Sequence, residues 1–196
     1  MRSLGILISL IIIASCSNAP PVPTDKFYRL GTPQNVGQLP ATEHIIYVGP
    51  ILTEGLYNER ALLHTGESGN TELQQYHYHF WITSPPRLMQ DYLVSYLRAA
   101  SSSTMINTEP GAGEKISIFG RLKAFEKIDS EEQSAVNVRL ELRVQDTDKA
   151  APILLKEYSA IEKIGGNEVP DAVAGFDRAA AKIYSDFVTD LQAILN

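Results

Sequence analysis

Two of the four histidines in this 196-residue sequence have a spacing that could bind a metal ion. His77 and His79 are two residues apart in an aromatic-rich segment that predicts a β-strand. Because side chains alternate across a strand, both imidazoles are expected on the face of Trp81, where they could supply two zinc ligands. A site needs at least one more ligand, and His44 or His64 could provide it only in a particular fold. We therefore predict neither a metal site nor another cofactor.

The residues that could act in catalysis do not form a known motif. The sequence has no Gly-x-Ser-x-Gly elbow, Walker A loop or Gly-x-Gly-x-x-Gly fingerprint. The acidic pairs Glu131-Glu132 and Asp146/Asp148 fall in predicted hairpin turns, where carboxylates are usually solvated. Residues 101–104 are polar but have no evident base partner. We predict that the protein is not an enzyme, and a hydrolase with an unrecognised site is the alternative.

The only cysteine, Cys16, lies in the sequence context of a lipid attachment site. A positively charged start, an apolar run over residues 4–13 and the small residues Ala14 and Ser15 are typical of a secretory signal peptide. The run covers about 15 Å as a helix, only half of a bilayer core. Ile13-Ala14-Ser15-Cys16 resembles the bacterial lipobox, in which the cysteine thiol accepts a diacylglyceryl group and becomes the first residue after cleavage. We predict that Cys16 is the lipid-anchor residue, with a chance cysteine in an ordinary signal peptide as the alternative.

The residues around Cys16 also predict a location. Ser17 follows the cysteine, and by resemblance to enterobacterial lipoproteins this implies sorting to the outer membrane, with the domain facing the periplasm. Removal of residues 1–15 leaves 196 − 15 = 181 residues, and the loss of Arg2 changes the net charge from −6 to −7. This acidic balance argues against nucleic-acid binding. Residues 16–25 contain Pro20, Pro21 and Pro23 and are expected to be an extended tether.

The rest of the chain, residues 26–196, predicts one α+β domain. Helical periodicity follows Ser84-Pro85-Pro86, where serine is expected to cap the helix, and again follows Pro170. Strands are expected at residues 44–48, closed by Gly49-Pro50, and at residues 60–64, 73–83, 104–108, 115–128, 136–144 and 153–164. Short polar connections between the last three strands indicate a meander. We predict a two-layer domain with a mostly antiparallel sheet covered by two amphipathic helices.

One face of the predicted sheet could bind a partner. In residues 136–144 the apolar residues alternate with a charged series, which places Arg139, Glu141 and Arg143 on the outward side. A polar, solvated sheet face is the simplest interpretation. The alternative is that this face is a docking surface.

The order of these features is distinctive. A lipobox and proline-rich linker lead to Tyr28-Arg29-Leu30, then to a strand ending in Val48-Gly49-Pro50, and then to an aromatic strand that enters a leucine-rich helix. The most specific part is the stretch from Trp81 to Leu97, where a tryptophan and a short proline-containing segment precede the helix. This layout resembles the ABC-type transport auxiliary lipoprotein family. Residues 56–63 match the family pattern only loosely, so partner contacts in that loop are not transferred.

The resemblance implies a function by association. Members of that family accompany MCE-domain proteins and ABC transporters that move lipids across the cell envelope, and no catalytic residues carry over. The first hypothesis is therefore an outer-membrane lipoprotein that acts as an accessory subunit of an MCE/ABC-type lipid transport or membrane-integrity system. The second is a small-ligand or lipid-binding envelope lipoprotein with an enclosed apolar pocket. The implied partner is an MCE-domain protein or ABC transporter complex, and self-association stays open.

Overall fold

The computed structural model describes residues 22–40, 45–66, 71–101, 103–111 and 113–195. Within these ranges the chain forms eight strands and two α-helices. They are β1 (Lys26–Tyr28), β2 (Ile45–Leu52), β3 (Ala61–Thr65), β4 (Leu73–Trp81), α1 (Pro85–Ala100), β5 (Ile106–Asn107), β6 (Glu114–Ile128), β7 (Ala135–Asp146), β8 (Leu154–Lys163) and α2 (Val169–Leu195). A short 3-10 helix, Gly55–Asn58, lies between β2 and β3. The strand that the sequence did not predict is β1.

All eight strands form one sheet around the long strand β6. On one side β6 pairs antiparallel with β7, and β7 pairs antiparallel with β8, which is the expected meander. On the other side the first half of β6 pairs in parallel with β2, and its last two residues pair in parallel with β3. β3 pairs antiparallel with β4, β1 joins β4 in parallel, and β5 joins β2 in parallel. The longest pairings are antiparallel, as predicted.

The two helices lie on one face of the sheet, which we call the covered face. α1 packs against β2, α2 packs against β7 and β8, and the helices contact each other. Along β7 the residues Val136, Val138, Leu140, Leu142 and Val144 are fully buried on this face. The opposite face, here called the outer face, carries the alternate residues of the same strand. The two-layer α+β prediction is confirmed.

Aromatic rings fill much of the space between the layers. The Phe125 and Phe176 ring centroids lie 4.3 Å apart, and Trp81 packs edge-on against both at 5.3 and 5.4 Å. The Tyr184 hydroxyl on α2 donates to the Met89 carbonyl on α1 at 2.8 Å. Since each fully buried large side chain contributes roughly 1.5–3 kcal/mol, this packing holds the helices on the sheet. No helix in the described ranges has both the length and the apolar character to cross a membrane.

Two local predictions need correction. β2 continues through Gly49-Pro50 to Leu52, because Pro50 lies where the pairing register between β2 and β6 shifts and an N–H group can be missing from the ladder. Gly49 is needed there, since a Cβ atom would lie 2.5 Å from the Phe119 ring. Ser84 precedes α1 in an extended conformation, but its side chain makes no capping hydrogen bond, and the two prolines start the helix.

Candidate functional site

Cys16 has the clearest chemical prediction in the chain, and it lies outside the described residues. So do the predicted signal peptide, the first part of the predicted tether and His44. The anchor therefore stays a prediction. The described chain is exposed from Val22 to Phe27 and enters β1 at Lys26, which is 26 − 16 = 10 residues after the cysteine.

The outer face of the sheet has an exposed apolar surface beside an arginine. We call Leu52, Phe119, Arg143 and Leu155 the outer-face patch. Leu52 and Leu155 are 57% and 63% exposed, and the Arg143 guanidinium lies 5.0 Å from the Phe119 ring centroid. An open depression of about 410 Å³ is lined by the patch together with Pro50, Gly120, Arg121 and Glu141. Aromatic and arginine side chains are enriched at protein interfaces, and the buried core of an interface is more apolar than the rest of the surface.

The other charges on the outer face form an ion-pair network. Lys123 donates to Glu141 at 2.7 Å and to Glu157 at 2.9 Å, and Arg139 donates to Glu157 at 3.0 Å. Hydrogen bonds from Arg139 and then Lys123 lower the pKa of Glu157, and the Glu157 carboxylate raises the pKa of Arg139. Among the described residues, no carboxylate lies within ion-pair distance of Arg143. The predicted outward series is thus confirmed, and Arg143 is its member without an internal counter-ion.

Chemistry-bearing side chains also meet on the covered face, at the end of β6. We call His64, Tyr76, Lys127, Asp129 and Asn167 the polar cluster. The Lys127 side chain is only 2% exposed, forms an ion pair with Asp129, and donates to Asn167 Oδ1 at 3.2 Å. His64 Nδ1 is hydrogen bonded to Asp129 at 2.7 Å, and its ring lies 4.4 Å from the Tyr76 ring. Burial is the main cause that raises the pKa of Tyr76.

The sequence did not predict Lys127 in the interior. The alternation in residues 115–128 placed Leu122 and Ala124 on one face. In the structure the register shifts between these two residues, so Ala124 lies opposite Arg139 on the outer face. After this β-bulge Phe125 and Lys127 point to the covered face. A bulge is not visible in a period-two pattern, and this one reversed the expected orientation of the last part of β6.

The structure also separates the two histidines that were expected on one face. The pairing of β3 with β4 is irregular between Ala61 and Leu63, so β4 does not alternate regularly. His79 is half-buried, and its Nδ1 forms a hydrogen bond with the Tyr28 hydroxyl at 2.8 Å. The His79 ring centroid lies 5.7 Å from that of Tyr76. His77, in contrast, is exposed. Burial lowers the pKa of His79. The described residues contain no group of three metal-ligating side chains close enough to hold a metal.

The polar cluster bears on the hydrolase hypothesis, because a His–Asp pair occurs in many hydrolytic sites. Here the Asp129 carboxylate is shared between His64 and the buried Lys127, and Asn167 Oδ1 accepts a hydrogen bond from Ser134 as well as from Lys127. These bonds connect β3, the end of β6 and the segment before α2. We therefore interpret the cluster as a structural connection between these elements.

The second hypothesis required an enclosed apolar pocket between the layers. Within the described part of the chain that space contains Trp81, Phe125 and Phe176, and Tyr92 and Tyr184 stack where the helices meet, with ring centroids 5.9 Å apart. The depression at the outer-face patch is open to solvent. The geometry therefore favours a docking surface on the outer face over a ligand chamber in the core.

The apolar members of the outer-face patch were missed in the sequence. Phe119, between Ile118 and Gly120 on β6, occupies a position that points to the outer face. Leu155, which follows Leu154 on β8, also points to the outer face, since both residues pair with Arg143. A large apolar residue in the outward phase of an amphipathic strand is the signal that could have identified them.

Comparisons with known proteins agree with this architecture. Residues 28–187 match the model of the family described as ABC-type transport auxiliary lipoprotein component. Protein XCC0632 from Xanthomonas campestris has a similar structure, with a TM-score of 0.73, 11% identity, and coverage of 86% of this chain and 96% of its own. The hypothetical protein CT253 from Chlamydia trachomatis has a TM-score of 0.51, 8% identity, and coverage of 78% and 98%. At these identities the likeness shows a shared fold. No curated protein matches the sequence significantly.

Proposed function

Because the chain belongs to the family of ABC-type transport auxiliary lipoprotein components, we propose that it is a lipid-anchored accessory subunit of an MCE/ABC-type lipid transport or membrane-integrity system. Residues 1–15 are removed, Cys16 carries the lipid, residues 16–25 form the tether, and residues 26–196 form a domain that faces the periplasm from the outer membrane. The domain acts by binding a partner and not by catalysis.

The family match carries this proposal. It begins in β1 and ends within α2, so it spans nearly all of the sheet and helices that form the domain. The lipobox-like segment lies just before it, which is the order that a lipid-anchored domain requires. An accessory protein of this kind needs a membrane anchor and a surface for a partner, and the chain offers candidates for both.

The outer-face patch is the partner surface that we propose. Its leucines are exposed, its phenylalanine is held under Arg143, and that guanidinium has no ion-pair partner among the described residues. A partner segment with apolar side chains and one carboxylate would fit both features. The partner is an MCE-domain protein or a subunit of its ABC transporter.

The anchor is tested by metabolic labelling with palmitate in the native host. We expect Cys16→Ala to abolish labelling and to release the protein from membranes, while the control Ser17→Ala keeps both. A Cys16→Ala protein that is still labelled would contradict the anchor.

The partner is tested by replacing Leu155 with a photo-crosslinking amino acid in living cells. We expect crosslinks to an MCE-domain protein or transporter subunit, identified by mass spectrometry. The control position is Lys182, whose side chain is 54% exposed on α2, in the other layer. Crosslinks from Leu155 only to unrelated proteins, or equal crosslinks from Lys182, would overturn the assignment of this surface.

A further inference from the structure

A second apolar surface lies at the edge of the sheet where the tether enters. We call Phe27, Tyr78, Phe80 and Ile82 the edge patch. Phe27, on the edge strand β1, is 55% exposed, and its ring lies 5.9 Å from that of Phe80. Tyr78 and Ile82 are 44% and 50% exposed on β4 and just after it. The Ile82 N–H donates to the Tyr28 carbonyl at 2.8 Å, so Ile82 follows β4 beside the end of β1, where its side chain lines a second depression with Arg29 and Leu30.

Charged side chains surround the edge patch. The Arg60 guanidinium lies 5.4 Å from the Phe27 ring centroid, and its Nε donates to the Trp81 carbonyl at 3.0 Å, which fixes its position. An open depression of about 390 Å³ is lined by Phe27, Phe80 and Arg60, and Asp25 and Glu59 also line it. The exposed charges at this edge are of both signs: Lys26, Arg29 and Arg60 lie with Asp25 and Glu59, Asp91 lines a depression with Arg29 and Ile82, and Glu168 acts on His79. Exposed aromatic rings beside arginine and lysine are typical of surfaces at a membrane interface.

The length of the tether indicates what covers the edge patch. Phe27 is 27 − 16 = 11 residues after Cys16, and an extended chain reaches at most about 40 Å over that length. The strand order from β1 to β8 is β1-β4-β3-β6-β7-β8, so Leu155 on β8 lies five strand spacings, or about 24 Å, further across the sheet. Of the two apolar patches, the edge patch is therefore the one closer along the chain to the predicted lipid.

We propose that the edge patch rests on the lipid surface to which Cys16 is anchored, with the Phe27 ring inserted among the acyl chains near the headgroups. This inference rests on the proposed anchor. Contact at β1 leaves the outer-face patch, several strands away, accessible to a partner. The domain would thus be held on the membrane in a defined orientation.

Site-specific fluorescence on the lipidated full-length protein tests this. Because Cys16 is the only cysteine and its thiol would carry the lipid, Phe27→Cys introduces one reactive thiol for an environment-sensitive fluorophore. The protein is reconstituted in vesicles of phosphatidylethanolamine and phosphatidylglycerol with brominated acyl chains. Side chains at an interface lie about 5–10 Å into the headgroup and acyl boundary, so we expect bromine to quench most of the fluorescence at position 27.

The control is Leu155→Cys, at a similarly exposed residue of the outer-face patch, where we expect no quenching. Ile82→Cys is a second position in the edge patch and is expected to be quenched, which protects the test against a local effect of replacing Phe27. Equal quenching at positions 27 and 155, or none at 27 and 82, would overturn the proposal. A fluorescence shift at position 27 that depends on protein concentration without lipid would also overturn it, because a second copy would then cover the patch.

Flotation of the unlabelled protein with the vesicles distinguishes a failure of the proposed anchor at Cys16 from a failure of the proposed membrane contact at the edge patch. Protein that floats but is not quenched would refute the edge contact alone. Protein that fails to float would refute the anchor at Cys16 and the contact that depends on it.

Discussion

The two faces of the sheet each hold a lysine between hydrogen-bonding acceptors, in opposite environments. On the covered face Lys127 is 2% exposed and contacts Asp129 and Asn167. On the outer face Lys123 is 30% exposed and contacts Glu141 and Glu157. Burial makes the first set of bonds costly to break, because the Lys127 ammonium that would lose its partners has little access to water. Water can replace the second set.

The same contrast applies to the aromatic residues. Phe176 on the covered face is 1% exposed and packs between Trp81 and Phe125, whereas Phe27 on the outer side of β1 is 55% exposed. Phe176 is therefore constrained by folding, while exposed outer-face residues such as Phe27 are free to serve binding. Comparing matched substitutions on the two faces can test this division.

The largest expected effect is that of removing a ring from the core. Phe176→Ala should lower the free energy of unfolding by about 3–5 kcal/mol, because it leaves a cavity beside two rings. The control Phe27→Ala should cost less than about 1 kcal/mol, since that ring is largely solvated. Urea unfolding followed by circular dichroism measures both. Similar losses for the two variants would remove the distinction between the faces.

The next largest expected difference is in the free energy of unfolding between variants of the two lysines. Lys127→Gln should lower the free energy of unfolding by about 1–3 kcal/mol, since a buried charged donor to Asp129 and Asn167 is lost. Lys123→Gln, which also loses two contacts, should change it by about 0–1 kcal/mol. The same unfolding assay applies, with added salt as a further variable. A larger loss for Lys123→Gln than for Lys127→Gln would show that burial does not decide the value of these bonds.

A pH dependence is expected where α2 meets the edge strand β8. Asp190 accepts hydrogen bonds from Lys156 at 2.7 Å and from the Tyr158 hydroxyl at 2.6 Å, and these lower its pKa. A carboxyl whose pKa is lower in the folded state stabilises the protein above the unfolded pKa, near 3.9, and loses that contribution as the pH falls through the folded value. The native protein should exceed Asp190→Asn in stability by about 1 kcal/mol at pH 6, with a smaller difference at pH 3.

Thermal unfolding of both proteins across this pH range measures the difference. Asp186→Asn, which loses a partner Lys182 at 3.4 Å on the exposed side of α2, is the control and should lower stability little at either pH. A gap between the native protein and Asp190→Asn that is constant from pH 6 to pH 3 would contradict the assigned role.

The fold was largely predictable from the sequence because its elements have strong periodic signals. The apolar alternation in β7 and the proline start of α1 identified elements at their observed places. β1 was missed because three residues are too short for a periodic signal, and its residues pair with residues of β4 that lie 53 positions later in the sequence. The parallel pairing of β2 with β6 was not predicted either, since strand order depends on long-range contacts.

The candidate sites were less predictable because they depend on irregularities. The bulge in β6 buried Lys127 and moved Ala124 to the outer face. The irregular pairing of β4 brought His79 to Tyr76 instead of leaving it beside His77. Such features arise from the packing of the whole sheet, whereas the outward position of Arg143 followed from simple alternation and was predicted.

The smallest expected change in stability is that of Arg143→Gln on the outer face. The guanidinium lies over Phe119 at 5.0 Å, and such a contact at an exposed site contributes about 0.5–1 kcal/mol. Arg139→Gln, which breaks an ion pair with Glu157, should have a similarly small effect on urea unfolding.

The two variants should differ in crosslinking from Leu155, because Arg143 borders that residue across β7 and β8. We expect Arg143→Gln to reduce partner crosslinking and Arg139→Gln to leave it nearly unchanged. Equal crosslinking in both variants would contradict the proposed role of Arg143 in partner binding.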